Sequence, residues 1–429
     1  MPLNQDRFVS TLARLVGQGE QLQNSLDAGL RPSEEVAAKV VLERLNEPIR
    51  SGAIQVKRVA AKDHPDRPNL ILTIEGRNSD TLSFVGAHFD VVPADRNAEG
   101  WTTDPFQLFV DEDGLLHGRG VTDCLGHVAL LTELLVDLVE QGIRPNRTLH
   151  VVMISNEEES SVPGIGLDYL DEQGHLEALT RGPMIWLDSA DFGPTLGTGG
   201  IAAWELIAEG VPGHSGMPQN CVNALELLMV ASLELSRWFK LAYPPHPKES
   251  EWKYASPSSM KTTIIDVENR KVTKIPGLAR AMGDIRMTPF YDIDEAVNAA
   301  CAEVDRLNER LSSPTHGDIL AAYRTSGGIA GKLSFIPKPQ RTSGIACDLK
   351  SPALGILSDA IRATRGIEAY KPWAMTGSLP LVRDLQRRGV DIQITGFGCS
   401  AGYHAPNEFG RLRDFVDGYE ILMRLIEQL

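Results

Sequence analysis

Near the N-terminus, Phe8, Leu12, Leu15 and Val16 fall on one face at helical spacing, which predicts an opening amphipathic helix. A second helix is expected after Pro32-Ser33-Glu34, with Val36, Val40, Val41 and Leu45 turned inward and the proline at the start. The period then shortens. Apolar runs over 54–60, 70–75 and 82–88 read as strands, and 106–110 with 115–117 flank Asp111-Glu112-Asp113-Gly114, a β-hairpin turn. A helix is predicted over 127–141, carrying Leu131, Leu134, Leu135 and Leu138 on one side, and buried strands over 149–154 and 184–187. Alternating strands and helices predict an α/β domain whose mixed, mostly parallel sheet is flanked by helices.

From Gly199 the texture changes. Segments 201–209, 260–267 and 279–287 read as strands, and 222–239 and 293–311 as amphipathic helices, which together make an α+β insert with an antiparallel sheet. After residue 342 the alternation resumes. A helix follows Ser351-Pro352, another starts near Ser378, 392–395 is a strand, and a last helix carries Phe415, Tyr419, Leu422 and Ile426. The expected organisation is a catalytic domain split between 1–198 and 343–429, interrupted over 199–342 by a smaller lid or dimerisation domain. Gly197-Thr198-Gly199-Gly200 is expected to be the hinge into it, because it lacks the lysine and strand-to-helix context of a phosphate loop.

Composition adds exclusions. With 429 residues, 42% hydrophobic and 23% charged, there is ample material for a core. Forty-two basic against 57 acidic residues give a net charge of −15, which argues against nucleic acid or an anionic membrane as partner. No run approaches the ~20 apolar residues of a membrane span. The N-terminus shows no basic stretch followed by an apolar core. The five cysteines, Cys124, Cys221, Cys301, Cys347 and Cys399, form no CxxC pair, so a reducing, cytoplasmic location is expected.

The acidic excess acquires a possible use at five places. His88-Phe89-Asp90 ends a strand, and residues two apart share a face, so Asp90 can take one nitrogen of His88 and leave the other for a metal. An incidental polar contact would suit the same pair. Asp123 closes the glycine-rich loop Gly118-Arg119-Gly120-Val121-Thr122-Asp123 beside a helix start, where a plain N-cap is the competing use. His117 and His127 flank it and read as structural. Asn156-Glu157-Glu158-Glu159 follows a strand, at the carboxyl end where open α/β sheets bind ligands; adjacent acids there repel unless cations or water relieve them. Asp188 ends the next strand, with Asp191 as competitor, and His404 follows the loop 396–402. Taken together, His88, Asp123, Glu158, Asp188 and His404 are two imidazoles and three carboxylates, a set suited to two divalent borderline cations such as zinc. One carboxylate bridging two ions ~3.5–4 Å apart is the usual co-catalytic design, and Glu157 is left as a candidate general base.

At these positions the sequence resembles the dinuclear-zinc aminoacylase and carboxypeptidase family of metallohydrolases. The matching stretches, in order, are GAHFDVVPA (86–94), HGRGVTDCLG (117–126), SNEEESS (155–161), WLDSAD (186–191), GVPGHSGMP (210–218), GDIRMTP (283–289) and GYHAPNE (402–408). NEEESSVPGIG, SADFGPTLGTGG and AMTGSLPLVRDL look most like the eukaryotic-type acetylornithine deacetylases within that family.

The resemblance implies that His88 and Asp188 hold one metal, Glu158 and His404 the other, and that Asp123 bridges them, with zinc, cobalt or manganese as the ions. It implies that Asp90 orients His88 and that Glu157 carries the proton. It places His214 at a neighbouring subunit's oxyanion, and Arg286 and Asn223 near the substrate. The implied reaction is amide hydrolysis of an N-acyl amino acid, foremost N-acetylornithine to ornithine and acetate, by a homodimer formed through the lid. A dipeptidase or carboxypeptidase, a succinyl-diaminopimelate desuccinylase and a non-catalytic homologue are the alternatives; the complete ligand set with Glu157 argues against the last.

Two departures stand out. Asn156 occupies the place of a common aspartate, and Cys124-Leu125 replaces a lysine-containing pair. Cys124 and Cys399 fall near the site, where histidine and carboxylates already fill the ligand set.

Overall fold

Fourteen of the sixteen residues of the helix Leu125–Glu140 are buried. A helix apolar on nearly every side belongs in the middle of a core, and this one has three other helices of its unit packed against it. Its two buried acids are satisfied by those neighbours. Glu133 accepts from Arg44 Nε at 2.8 Å and from the Thr11 hydroxyl at 2.7 Å. Asp137 pairs with Arg7 and accepts from the Tyr419 hydroxyl at 2.8 Å. The helices Gln5–Val16, Glu35–Arg44 and Leu412–Gln428 are thereby tied to it by charge as well as by packing. Phe8, Leu12, Leu15 and Val16, and Phe415, Tyr419, Leu422 and Ile426, are all buried on the predicted faces.

The computed structural model describes residues 2–159, 162–269, 271–379 and 381–429. The chain divides into two compact units. The first is Met1–Leu196 with Cys347–Trp373 and Pro380–Leu429; the second is Gly197–Ala346 with Ala374–Leu379. In the first, six neighbouring strands of the main sheet run in the order Gln55–Val59, Asn69–Ile74, Thr148–Ile154, Thr81–His88, Met184–Leu187, Ile392–Thr395. Gln55–Val59, Asn69–Ile74 and Thr148–Ile154 pair antiparallel, whereas Thr148–Ile154 through Ile392–Thr395 pair parallel. The sheet is thus mixed, with its parallel pairings together. That matters for function, because the carboxyl ends of those strands emerge at one edge. The predicted hairpin pairs Phe109–Val110 with Leu115–His117, and Phe409–Arg411 adds a third strand.

The second unit has its own core, formed where an antiparallel sheet meets the helices Ala224–Ala242 and Ile293–Ser312. Its strand order is Ser259–Val267, Leu278–Met287, Gly200–Glu209, Lys332–Thr342. The last strand was not expected from the sequence. It contains Pro337 and Pro339, which disfavour a strand reading, and it is admitted because it lies at the sheet edge, with a register break between Pro337 and Arg341. The helix expected near Ser378 begins at Val382, since Leu381 has φ 56°, in the left-handed region. Pro380 of that motif, like Ser160 and Ser161 of SNEEESS, lies outside the described residues.

Gly126 is the point where the central helix bears on the loop that carries Asp123. A Cβ there would lie 2.1 Å from the Val121 carbonyl oxygen and 2.6 Å from the Phe415 ring. Gly126→Ala should therefore destabilise the fold by roughly 1–3 kcal/mol of overpacking, read as a lower urea midpoint, although alanine is the better helix former by ~1 kcal/mol. An unchanged or raised midpoint would mean that the loop moves aside freely.

Candidate metal centre

Three parallel strands deliver their C-terminal residues to one edge. His88 closes the strand Thr81–His88, Glu157 and Glu158 follow Thr148–Ile154, and Asp188 follows Met184–Leu187. Register aligns them: His88 pairs with Ile154, and the Phe89 amide donates to the Ile154 carbonyl at 3.0 Å. Asp123 arrives from the other side on the glycine-rich loop. Glu408 shapes that loop by accepting the amides of Gly120, Thr122 and Asp123 at 3.0, 2.9 and 3.1 Å, while Arg119 neutralises it at 2.8 Å. Asp123 does not cap the following helix. Cys124 holds the N-cap position, so the carboxylate of Asp123 is available elsewhere. His404 comes from the segment after Ile392–Thr395 and has φ 52°.

The five predicted ligands meet. His88 Nε2 lies 3.0 Å from Asp123 Oδ1 and 3.9 Å from Asp188 Oδ1. His404 Nε2 lies 3.1 Å from Asp123 Oδ2 and 3.1 Å from Glu158 Oε2. The two oxygens of Asp123 thus face one imidazole each. Cys124 also approaches. Its sulfur and atoms of His88 and Asp188 lie within 4.8 Å of one another, as do ligand atoms of His88, Asp123 and Glu158. Cys399 joins neither group.

Asp90 is more than a partner for His88. The ring Nδ1 lies 2.9 Å from the Asp90 backbone carbonyl and 3.5 Å from its carboxylate. The carboxylate accepts the Glu157 and Glu158 amides at 3.1 and 3.0 Å and Asn24 Nδ2 at 2.8 Å. The sequence offered no sign of Asn24, which stands in no motif. His127 and His117 are structural, as expected. His127 is buried, accepts the Phe397 amide at 2.8 Å, and is held by burial at about 4, well below the usual imidazole range. His117 pairs with Asp111 at 2.9 Å in the hairpin.

His214, Arg286 and Asn223 lie in the second unit. His214 is exposed, and its Nδ1 accepts the Gly216 amide at 3.0 Å, which leaves the proton of the neutral ring on Nε2. Arg286 Nε donates to Asp284 at 2.7 Å. Asn223 caps the helix Ala224–Ala242, its Oδ1 accepting the Leu225 and Glu226 amides at 3.1 and 3.4 Å.

Electrostatically the cluster is unbalanced without a cation. Burial, followed by the charge of Asp123, lifts Glu158 to about 7. Burial likewise leads in raising Asp188 to about 7. Burial and then the charge of Asp188 push Glu157 well above the carboxylate range. His404 is raised to about 11 by its hydrogen bonds to Asp123 and Glu158. Glu158 Oε1 is buried with no hydrogen-bond partner among the described residues. A buried, unpaired carboxylate oxygen costs roughly 1–3 kcal/mol or more, and imidazole and carboxylate donors match divalent borderline cations. The residues fit such ions.

Carboxylates and imidazoles gathered at the carboxyl ends of parallel strands mark a metal-dependent hydrolase. The profile of Peptidase family M20/M25/M40 matches residues 84–428. Acetylornithine deacetylases from Dictyostelium discoideum and Arabidopsis thaliana are each 39% identical over 100% of this chain and 97% and 96% of their own lengths. Among solved structures, the Saccharomyces cerevisiae di-peptidase Dug1p superposes with a TM-score of 0.72 at 18% identity, covering 98% of this chain and 95% of that one. Human carnosine dipeptidase 1 gives 0.68 at 18%, with the same coverage. The chain belongs to peptidase family M20/M25/M40.

The pKa shifts carry a sign. Glu158 and Asp188 near 7 in the metal-free fold stand above the ~4 of the unfolded chain. Their contribution is therefore present in full below about pH 4 and is lost as pH rises through 7. The metal-free protein should lose thermal stability between about pH 5 and pH 8, and added zinc should raise the melting temperature more at about pH 8 than at pH 5.5. An equal or larger zinc effect at the lower pH would place the metal elsewhere.

Proposed function

We propose that this protein hydrolyses the amide bond of N-acetylornithine to give ornithine and acetate. The observation that carries the proposal is end-to-end similarity, 39% identity over the whole chain, to acetylornithine deacetylases of two organisms. The dipeptidase structures, at 18% identity, speak only to the fold.

In this reading His88 and Asp188 hold one divalent ion, Glu158 and His404 hold the second, and Asp123 is shared. The placing of one imidazole against each oxygen of Asp123 supports the assignment. Zinc fits the donor set first, with cobalt or manganese as alternatives. When bound, the ions supply Lewis acidity and make water acidic enough to attack near neutrality. Glu157 moves the proton: it takes one from the attacking water and returns it to the departing amine. Its proton affinity, raised by burial and by neighbouring acids, suits the second half of that task. A positioned acid–base group of this kind contributes ~10²–10⁴-fold.

The second unit supplies recognition. His214, with its proton on Nε2, donates to the developing oxyanion. Arg286 offers a guanidinium to the substrate carboxylate, and Asp284, which grips Nε, fixes the plane of that fork. Asn223 has its Oδ1 committed to the helix cap, so Nδ2 is the atom it can offer.

The active form is a homodimer assembled through the second unit, with His214 serving the site of the neighbouring subunit. Support comes from the strand Ser259–Val267, which ends its sheet and exposes Ile264 and Ile265 by 53% and 52%. Met229 and Leu233 on the adjacent helix are exposed by 52% and 66% and line a groove of about 340 Å³ beside that strand. An apolar edge strand left in water invites pairing with a second copy.

On protein of measured metal content, kcat/KM for N-acetylornithine should exceed that for N-succinyl-diaminopimelate, other N-acyl amino acids and dipeptides. Faster release of amino acids from dipeptides would overturn the reading. Glu157→Gln should keep its metals while kcat falls at least ~10²-fold. Ile265→Lys should halve the mass seen by sedimentation, and a dimer of unchanged affinity would remove this face from the interface.

A further inference from the structure

We propose that Asn24, Glu34 and Arg67 are positioning residues of the metal centre: they seat the turn Asn156-Glu157-Glu158 against Asp90 and so fix where its two acids point. The inference rests on the roles given to Glu157 and Glu158 above. All three residues lie outside the stretch 84–428 matched by the family profile.

The turn does not hold itself. Asn156 has φ 60°, a left-handed conformation that asparagine tolerates better than most residues. Its amide donates to Glu34 Oε1 at 3.2 Å. Its Oδ1 accepts from Asn24 Nδ2 at 3.1 Å and from Arg67 Nη2 at 3.0 Å, and its Nδ2 donates to the Val162 carbonyl at 2.7 Å. The next two amides donate to the oxygens of Asp90. Asn24 then closes the circuit. One amide nitrogen, with two hydrogens, donates to Asp90 Oδ2 at 2.8 Å and to Asn156 Oδ1. It joins the aspartate beside His88 to the turn that carries the acids. Asn24, Glu34, Arg67, Asp90 and Asn156 are all buried.

The charges explain the choice of residues. Arg67 grips Glu34 through Nε at 2.8 Å and Nη2 at 2.6 Å, a pair that is neutral as a whole. Asn156 is neutral too, with one acceptor facing two donors and one donor facing a carbonyl. An aspartate at 156 would set a carboxylate oxygen against the Val162 carbonyl. It would also add a third negative charge beside Glu34 and Asp90, with Arg67 the one cation of the network. This is a physical reason for asparagine at the position where the resembling sequences commonly carry aspartate.

The test separates positioning from space filling. Asn24→Asp has the same shape but turns the donor into an acceptor facing Asp90 and Asn156, and Asn24→Ala removes it. Thr11→Val is the control: it deletes a buried hydroxyl contact to Glu133 in the same N-terminal region without touching the network. The readouts are amide hydrogen exchange across 155–159 in metal-free protein, zinc affinity by chelator competition, and kcat and KM for N-acetylornithine. For Asn24→Asp, exchange at Glu157 and Glu158 should be at least about ten-fold faster, and zinc affinity and kcat should fall ~10–100-fold with KM little changed. Asn24→Ala should shift the same way by less, and Thr11→Val should leave exchange and zinc affinity alone even where its thermal midpoint falls as far. Wild-type exchange and zinc affinity in Asn24→Asp, or equal changes in Thr11→Val, would overturn the proposal. Should Asn24→Asp fail to fold, the same readouts on Asn24→Ala decide. Exchange and zinc binding need no substrate, so a failure to hydrolyse N-acetylornithine overturns the functional reading and leaves this test intact.

Discussion

Four acids, Asp123, Glu157, Glu158 and Asp188, are gathered at one edge of a sheet whose surroundings are largely apolar. Two like charges ~4 Å apart repel by ~4 kcal/mol at an effective dielectric of ~20, a sizeable part of the ~5–15 kcal/mol that holds a domain folded. The upward shifts of Glu158 and Asp188 to about 7 come first from burial and then from that repulsion. A site of this kind persists only if the backbone is fixed by something stronger and the charge is met by cations. Much of the first unit can be understood as the supply of that rigidity.

Two buried carboxylates outside the ligand set provide it, and they work alike. Asp90 accepts the amides of Glu157 and Glu158; Glu408 accepts those of Gly120, Thr122 and Asp123. Each is a carboxylate seated on backbone N–H groups, the charge-assisted arrangement that is stronger than a neutral hydrogen bond. Each therefore fixes the loop that carries an acid rather than the acid itself. Burial alone would raise Asp90, yet His88, followed by Asn24 and the Glu157 amide, holds it below the usual carboxylate range.

Much of this was legible in the sequence, because its causes are local. Strand ends can be read from apolar runs, and His88, Glu158 and Asp188 follow such runs directly. Asp123 and His404 were legible through their motifs more than through any period. What escaped is non-local or masked by local chemistry. The strand Lys332–Thr342 carries two prolines and is stabilised by its edge position. Asn24 and Arg67 look like ordinary polar residues until the fold puts them against Asn156. Asp90 was expected to orient His88 through its carboxylate, and its shorter contact is through the backbone carbonyl. Spacing two residues apart fixes a face, not which oxygen is used.

The reach of the network bears on how the fold divides its labour. The residues that would touch metal or proton all lie between His88 and His404, within the stretch that family members share. The residues that brace them reach back to Asn24, in a segment whose helices are themselves anchored to the central helix through Arg7, Thr11 and Arg44. Rigidity at the acids thus rests on Asn24 itself, while the anchoring of those helices through Thr11 serves the stability of the unit separately. A polar network buried this deeply stabilises only when each member is satisfied. Asn156 meets that condition through four hydrogen bonds of its own, and loss of the one to Glu34 or the one to Val162 would leave a buried N–H group unsatisfied. The asparagine that departs from the common motif is on this view what makes the bracing complete: a carboxylate in its place could accept from Asn24 and Arg67 but could not donate to Val162.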